Sequence, residues 1–198
     1  MKRRSILAAL SAGAALVLLS GCSQGGPTFH GVDVTGADYG KGFALTDHTG
    51  APRTLADYRG KVVTLFFGFT HCPDVCPTSL ATMHQAMTLL GPDAERVQVL
   101  FVTLDPARDT TTLLADYVPR FDPSFVGLRG DAATTAAVAK DYKVFFQKVE
   151  GTTPDSYTLD HSAGTFVHDA QGRLRLFIRH GETPQHIADD LKALLAQG

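Results

Sequence analysis

The sequence has no tryptophan, only three cysteines in 198 residues, and little net charge. Each shortage narrows the reading. A formal charge of −2 leaves no basic footprint for a phosphate backbone, so nucleic acid is not an expected partner. No apolar run reaches the roughly 20 residues of a comfortable membrane span, and the candidate Ile6 to Leu19 falls short. No internal repeat or low-complexity block follows the N-terminal region. Two of the three cysteines sit inside Thr70-His71-Cys72-Pro73-Asp74-Val75-Cys76-Pro77, so thiol chemistry is concentrated in one stretch. The remaining composition, 44% hydrophobic and 19% charged, is that of an ordinary globular domain with a real core.

Residues 1–21 read as an export signal. Lys2-Arg3-Arg4 is a positive start, Ile6 to Leu19 is the apolar segment, and Leu19-Ser20-Gly21-Cys22 resembles the bacterial lipobox. That resemblance implies cleavage before Cys22 and a lipid anchor on its sulfur. An uncleaved N-terminal anchor helix is the competing reading. Loss of Lys2, Arg3 and Arg4 from the 18 basic residues leaves a mature chain of net charge −5. Either anchor places the domain outside the cytoplasm, at a membrane of the bacterial cell envelope, where free thiols are at risk of oxidation. Residues 22–38 carry several glycines and little apolar periodicity, and read as a flexible tether. Residues 39–198 are the expected domain.

Within that domain Gly42 to Asp47 is a short strand, followed by a turn at Asp47 to Gly50. Val62 to Phe69 is nearly continuously apolar, as a central strand covered on both faces should be. A helix follows from about Pro77 to Leu90, with Leu80, Met83, Met87 and Leu90 on one stripe that Cys76 extends. Met83 and Met87 therefore read as core and not as a thioether site. Val97 to Leu104 is a second buried strand, and Leu113 to Phe121 a second amphipathic helix. Phe125 to Leu128 is a short strand, and Asp131 caps a helix reaching Tyr142. Val144 to Val149 is another strand. Thr165 to Val167 and Leu174 to Ile178 form a hairpin, and Thr183-Pro184 starts the last helix. Strand, helix, strand, helix, hairpin, helix is the thioredoxin plan with an inserted strand and helix and an N-terminal β extension.

In that plan a cysteine pair sits at the N-terminus of the first core helix, where free N–H groups and the helix dipole favour an anionic sulfur. Thioredoxin-like redox enzymes separate their cysteines by two residues and place tryptophan before the first. Here three residues intervene and His71 holds the preceding position. The wider spacing still permits a Cys72–Cys76 disulfide, and it suits chelation of a soft metal, Cu(I) or Zn(II). A purely stabilising disulfide would constrain so short a loop only slightly. A peroxiredoxin-like nucleophile lacks its threonine, since Phe69 stands three residues before Cys72. Two thiolates leave a copper site incomplete. Of eight histidines, His30 lies in the tether and His48 in a turn. His71 points away from Cys72 on an extended segment, and His84 is off the apolar stripe. His168, His180 and His186 lie at hairpin or helix ends, where solvation is usual. His161, in the loop entering the hairpin, is the candidate third ligand by position.

Three segments together resemble the Sco/SenC family of copper-binding assembly factors for cytochrome c oxidase. They are Phe69 to Pro77, Asp105-Pro106-Ala107-Arg108-Asp109-Thr110, and Asp160-His161-Ser162. Ala107 replaces a glutamate common in the family. The resemblance implies that Cys72, Cys76 and His161 bind one copper ion, Cu(I) or Cu(II). It implies a membrane-tethered, periplasm-facing monomer that acts on the copper A centre of oxidase subunit II, by delivering copper, by reducing that subunit's cysteines, or both. Another periplasmic copper chaperone is a possible supplier of the metal. Asp105 and Asp160 are candidates for supporting the ligands, or for solvating their loops.

Overall fold

Val62–Gly68 is buried at all seven positions, which is what an unbroken run of β-branched and aromatic residues demands of its surroundings. The computed structural model describes residues 28–153 and 156–198. The signal peptide, Cys22 and its lipobox lie outside the described residues. The elements are β1 (Val32–Asp33), β2 (Ala44–Asp47), β3 (Pro52–Thr54), β4 (Val62–Gly68), α1 (Val75–Leu90), β5 (Val97–Thr103), α2 (Thr111–Tyr117), β6 (Val126–Arg129), α3 (Ala132–Asp141), β7 (Phe146–Glu150), β8 (Tyr157–His161), β9 (Gly164–His168), β10 (Leu174–Arg179) and α4 (Pro184–Leu195). Eight strands form one sheet in the order β1-β10-β9-β4-β5-β6-β2-β3, and β7 and β8 form a separate pair. β4, β5 and β6 run parallel; β9 returns antiparallel to β4. This is a thioredoxin-like fold, with β6 and α3 as the insertion and β2 and β3 as the N-terminal extension.

The core forms on both faces of β4. Phe66 and the Gly68 position face α1, whereas Phe67 turns to the other side, 5.3 Å from the Tyr142 ring and 6.0 Å from Phe166. Leu80, Met83, Met87 and Leu90 are all buried along α1, as their spacing requires. The caps are in place as well. Asp131 accepts from the Thr134 amide at the start of α3, and Thr183 accepts from the His186 amide at the start of α4. No helix among the described residues is long and apolar enough to cross a membrane.

Three expectations change. The tether does not extend to residue 38. The buried Asp190 carboxylate accepts from the His30 and Gly31 amides, each at 2.8 Å, and Val32 pairs with Phe177 on β10. Gly31 permits that approach, since a Cβ there would lie 3.1 Å from Asp190 Oδ2. The folded body therefore starts at about Phe29, whose side chain packs on the core. Second, His161 is not in a loop. It ends β8, opposite Phe146 of β7. The expected strand from Val144 is shifted to Phe146–Glu150 and joins this small sheet instead of the large one. Third, His168 is not solvated. It is 0% exposed, enclosed by Gly40, whose carbonyl lies 3.1 Å from Nε2, and by Tyr142.

Candidate metal centre

The parallel strand β4 delivers the chain to the start of α1, and every feature of the cysteine loop follows from how that turn is pinned. Thr70 donates through its amide (3.0 Å) and its hydroxyl (2.6 Å) to the two carboxylate oxygens of Asp109. Thr103, at the end of β5, donates its hydroxyl to Asp109 at 2.6 Å. Asp109 is fully buried, so these bonds are not shared with water. The Cys72 amide donates to the Phe69 carbonyl at 3.2 Å, closing a turn that lifts Cys72 to a half-buried position.

Cys76 is the second residue of α1 and is buried, as the stripe predicts. Asp74 precedes the helix but makes no side-chain cap. Instead the Cys76 amide donates to Cys72 Sγ at 3.4 Å, so the first sulfur stands where a capping oxygen would. Burial pushes the Cys76 thiol up in pKa, against the lowering effect of the Phe69 amide. A soft cation would displace that proton on binding. Gly68 makes room for this sulfur: a Cβ there would lie 2.7 Å from Cys76 Sγ and 2.9 Å from the Phe101 ring.

The third candidate arrives from β8. His161 Nδ1 lies 3.2 Å from the Leu159 carbonyl, which can only accept, so Nδ1 carries the proton and Nε2 is left as a lone-pair donor. Nε2 is 3.8 Å from Cys76 Sγ. The imidazole packs edge-on against Phe69, with centroids 5.7 Å apart. A sulfur and a nitrogen bound to one metal at about 2.3 and 2.0 Å, with an angle near 120°, are about 3.7 Å apart. The Cys76–His161 separation therefore fits a shared soft metal. Among the described residues no three His, Cys, Asp or Glu side chains are already drawn together as a cage. Both described cysteines are free thiols.

Beside the site is an open cleft of ≈ 230 Å³ between the cysteine loop and β8. A larger one of ≈ 650 Å³ lies elsewhere, between residues 35–41 and the 172–175 turn. Its arginines are already committed, Arg173 and Arg175 both to Asp169. The smaller cleft is the one lined by Cys72 and His161.

Sequence reasoning missed what holds β8 in place. Arg108 Nε donates to Asp105, Arg108 Nη1 donates to the Tyr157 carbonyl at 2.9 Å, and the guanidinium lies 3.5 Å from the centroid of the Tyr157 ring. Tyr157 in turn donates its hydroxyl to Asp105 at 2.8 Å. The loop after β5 thus grips the first residue of the strand that ends in His161. Asp105 is buried and bonds Arg108 and Tyr157, none of the three candidate ligands, and Asp160 is exposed. Asp109, Arg108 and Tyr157 were visible as residues but carried no sign of their partners. His71 is half-exposed and lies against Thr70 and Asp109, away from the thiols, as expected.

The family model for SCO1/SenC matches residues 33–196. The mitochondrial Protein SCO2 homolog of Bos taurus is 36% identical over 156 residues, which are 78% of this chain and 59% of that protein's length. Two solved structures are similar throughout the domain. ScoI of Bradyrhizobium japonicum, with copper bound, has a TM-score of 0.73 and 41% identity, over 80% of this chain and all (100%) of that one. Apo Sco1 from Thermus thermophilus has a TM-score of 0.76 and 42% identity, over 85% of this chain and 98% of that one. With the family model spanning nearly the whole described domain, this chain belongs to the SCO1/SenC family.

Proposed function

We propose that this protein is a copper chaperone for the assembly of cytochrome c oxidase, anchored in the bacterial cell envelope by a lipid on Cys22, with its domain facing the periplasm. Its cargo is one copper ion, held by the sulfurs of Cys72 and Cys76 and by Nε2 of His161. The recipient is the copper A site of oxidase subunit II, and a second periplasmic chaperone supplies the ion. The protein works as a monomer. The observation that carries this reading is the 3.8 Å approach of His161 Nε2 to Cys76 Sγ across 85 residues of sequence, beside a second sulfur at the helix N-terminus. A soft sulfur pair with one imidazole selects copper in its reduced state over harder ions, and the open cleft leaves the ion accessible for exchange.

The test is transfer from copper-loaded protein to an apo subunit II domain, with metal analysis of the anaerobically purified donor. About one copper per chain is expected. Cys72→Ser and Cys76→Ser abolish the stoichiometry, and His161→Ala weakens it. Unchanged affinity in His161→Ala would remove the imidazole from the site.

A second reading rests on the unequal exposure of the two free thiols. Cys72, half-buried, attacks a disulfide in subunit II, and Cys76, buried behind it, resolves the mixed disulfide. The subunit gains two thiols and this chain is left with a Cys72–Cys76 disulfide. Metal-free protein that reduces an oxidised subunit II peptide equally well as wild type and as His161→Ala would favour this reading. Failure to exchange at all would remove it.

A further inference from the structure

The lipid anchor and the metal ligands belong to the same end of the molecule. β4 runs toward the cysteine loop and ends there at Gly68. β9 is antiparallel to it, with Thr165 opposite Phe66, so Gly164 is at the cysteine end. β10 is antiparallel to β9 and places Arg179 opposite Gly164. β1 is antiparallel to β10, with Val32 opposite Phe177, so the residues before β1 rise back to the level of Arg179. His30 and Gly31 are fixed at that level by the Asp190 carboxylate, and the His30 ring stacks on His186, in the first turn of α4, at 3.8 Å. The chain therefore enters the fold at the end that carries Cys72, Cys76 and His161. It enters three strands away from β4, about 15 Å to the side.

The stretch of sequence between the proposed anchor and the fold is short. From Cys22 to Phe29, the first side chain packed on the core, there are seven residue steps. Fully extended they span at most about 25 Å. A domain of this length has a diameter of about 40 Å. Had the tether run to residue 38, as the sequence suggested, the domain could turn freely. With the entry clamped at residue 30, the chain cannot reach round to put the opposite end on the membrane.

Resting on the anchoring reading for Cys22, we propose that the tether holds the domain with its metal-binding end toward the bilayer. Copper is then received and handed over within about 25 Å of the lipid surface, to partners whose own ligands stand close above the membrane. A recipient domain reaching far into the periplasm would meet the wrong face.

The absence of tryptophan gives a clean reporter. Arg179→Trp marks the metal end and Glu95→Trp, in the turn before β5, marks the opposite end; both positions are exposed. The full acylated chain is placed in phosphatidylethanolamine–phosphatidylglycerol vesicles containing a dansyl headgroup lipid. Energy transfer from the tryptophan is expected to be several-fold more efficient at position 179 than at 95. An insertion of about 20 Gly and Ser residues after Gly26 should erase the difference while leaving the protein bound. Equal or reversed transfer in the acylated, native-length chain overturns the orientation alone. Intact-mass analysis showing no acyl group on the membrane-extracted protein overturns the anchor, and the orientation with it.

Discussion

Replacing Arg108 by alanine should weaken copper binding without unfolding the protein. The reason lies in where its contacts go. The Arg108 side chain is 20% exposed and Asp105 is 4% exposed. The ion pair to Asp105 lies within the loop itself, so what docks β8 is the hydrogen bond from the guanidinium to the Tyr157 carbonyl, about 1.5–3 kcal/mol for a charged donor. The guanidinium stack on Tyr157 adds about 0.5–1 kcal/mol. The loss falls on β7 and β8, because these strands pair only with each other among the described residues. A two-stranded unit of that kind is marginal without docking. A docking penalty of about 3 kcal/mol corresponds to roughly a hundredfold in the docked population. Leu159 and the Phe69–His161 contact still hold the hairpin in part, so copper affinity should drop by about tenfold to a hundredfold. Chelator competition measures the affinity, and hydrogen exchange should show faster exchange in β7 and β8 with β4 and β5 unaffected. The decisive comparison is a cycle with His161→Ala. If Arg108 acts by presenting the imidazole, its removal adds little once the imidazole is gone. Equal weakening in the two backgrounds would refute the reasoning.

Gly68→Ala should both destabilise the fold and displace the Cys76 sulfur, at about 1–3 kcal/mol from overpacking, read by thermal unfolding alongside copper competition. Asp109→Ala should cost about 2–4 kcal/mol, because it strands the buried Thr103 hydroxyl and frees the part-buried Thr70 amide and hydroxyl, and denaturant titration would detect it. His168 titrates against folding. Burial holds its pKa below the ordinary value of 6.5, with the Gly40 carbonyl opposing the shift. The unfolded chain therefore binds the extra proton first. Stability is full above pH 6.5 and falls as pH drops below it, by up to about 1.4 kcal/mol per pH unit until the folded form also protonates. A His168→Gln variant should show a flatter profile over that window in urea titrations, and an unchanged slope would mean another group is responsible.

What the sequence made legible was whatever is encoded within one element. The unbroken apolar run of β4, the three-and-four spacing on α1, and the caps at Asp131 and Thr183 are each local and each appear where expected. The cysteine pair at a strand-to-helix junction is likewise local. What stayed hidden depends on partners far along the chain. β1 is two residues long, too short for any periodicity, and exists because β10 offers an edge and Asp190 offers two acceptors 159 and 160 residues away. β8 reads Tyr-Thr-Leu-Asp-His and alternates in burial, but five residues with one fully buried side chain are too weak a signal without the partner strand β7. His168 resembles any histidine at a hairpin end until Gly40, 128 residues earlier, closes over it. Asp109 sits in a polar loop sequence, and only the fold shows that its carboxylate is the post to which the cysteine loop is tied.

The proposed donor set is divided between two kinds of support, as the proposed release of a copper cargo would require. Cys72 and Cys76 belong to the turn between β4 and α1, tied through Thr70 to the buried Asp109 and backed by the central sheet. Moving them means disturbing the most buried strand in the molecule. His161 belongs to a two-stranded unit outside the main sheet, held by Arg108, Tyr157 and a few apolar contacts. The free energy needed to withdraw the imidazole is set by that docking, a few kcal/mol, whereas withdrawing the sulfurs costs a share of global stability. A partner that presents its own thiolates therefore meets a site whose least firmly held ligand is the nitrogen. The first bond to yield should be the one to His161, with the ion passing through a state held by Cys72, Cys76 and the incoming sulfur. Variants that tighten the hairpin, such as a cross-strand disulfide remote from the cleft, should then slow transfer more than they raise affinity. Stopped-flow transfer rates set against equilibrium constants would expose a proportional change, which this order of events does not allow.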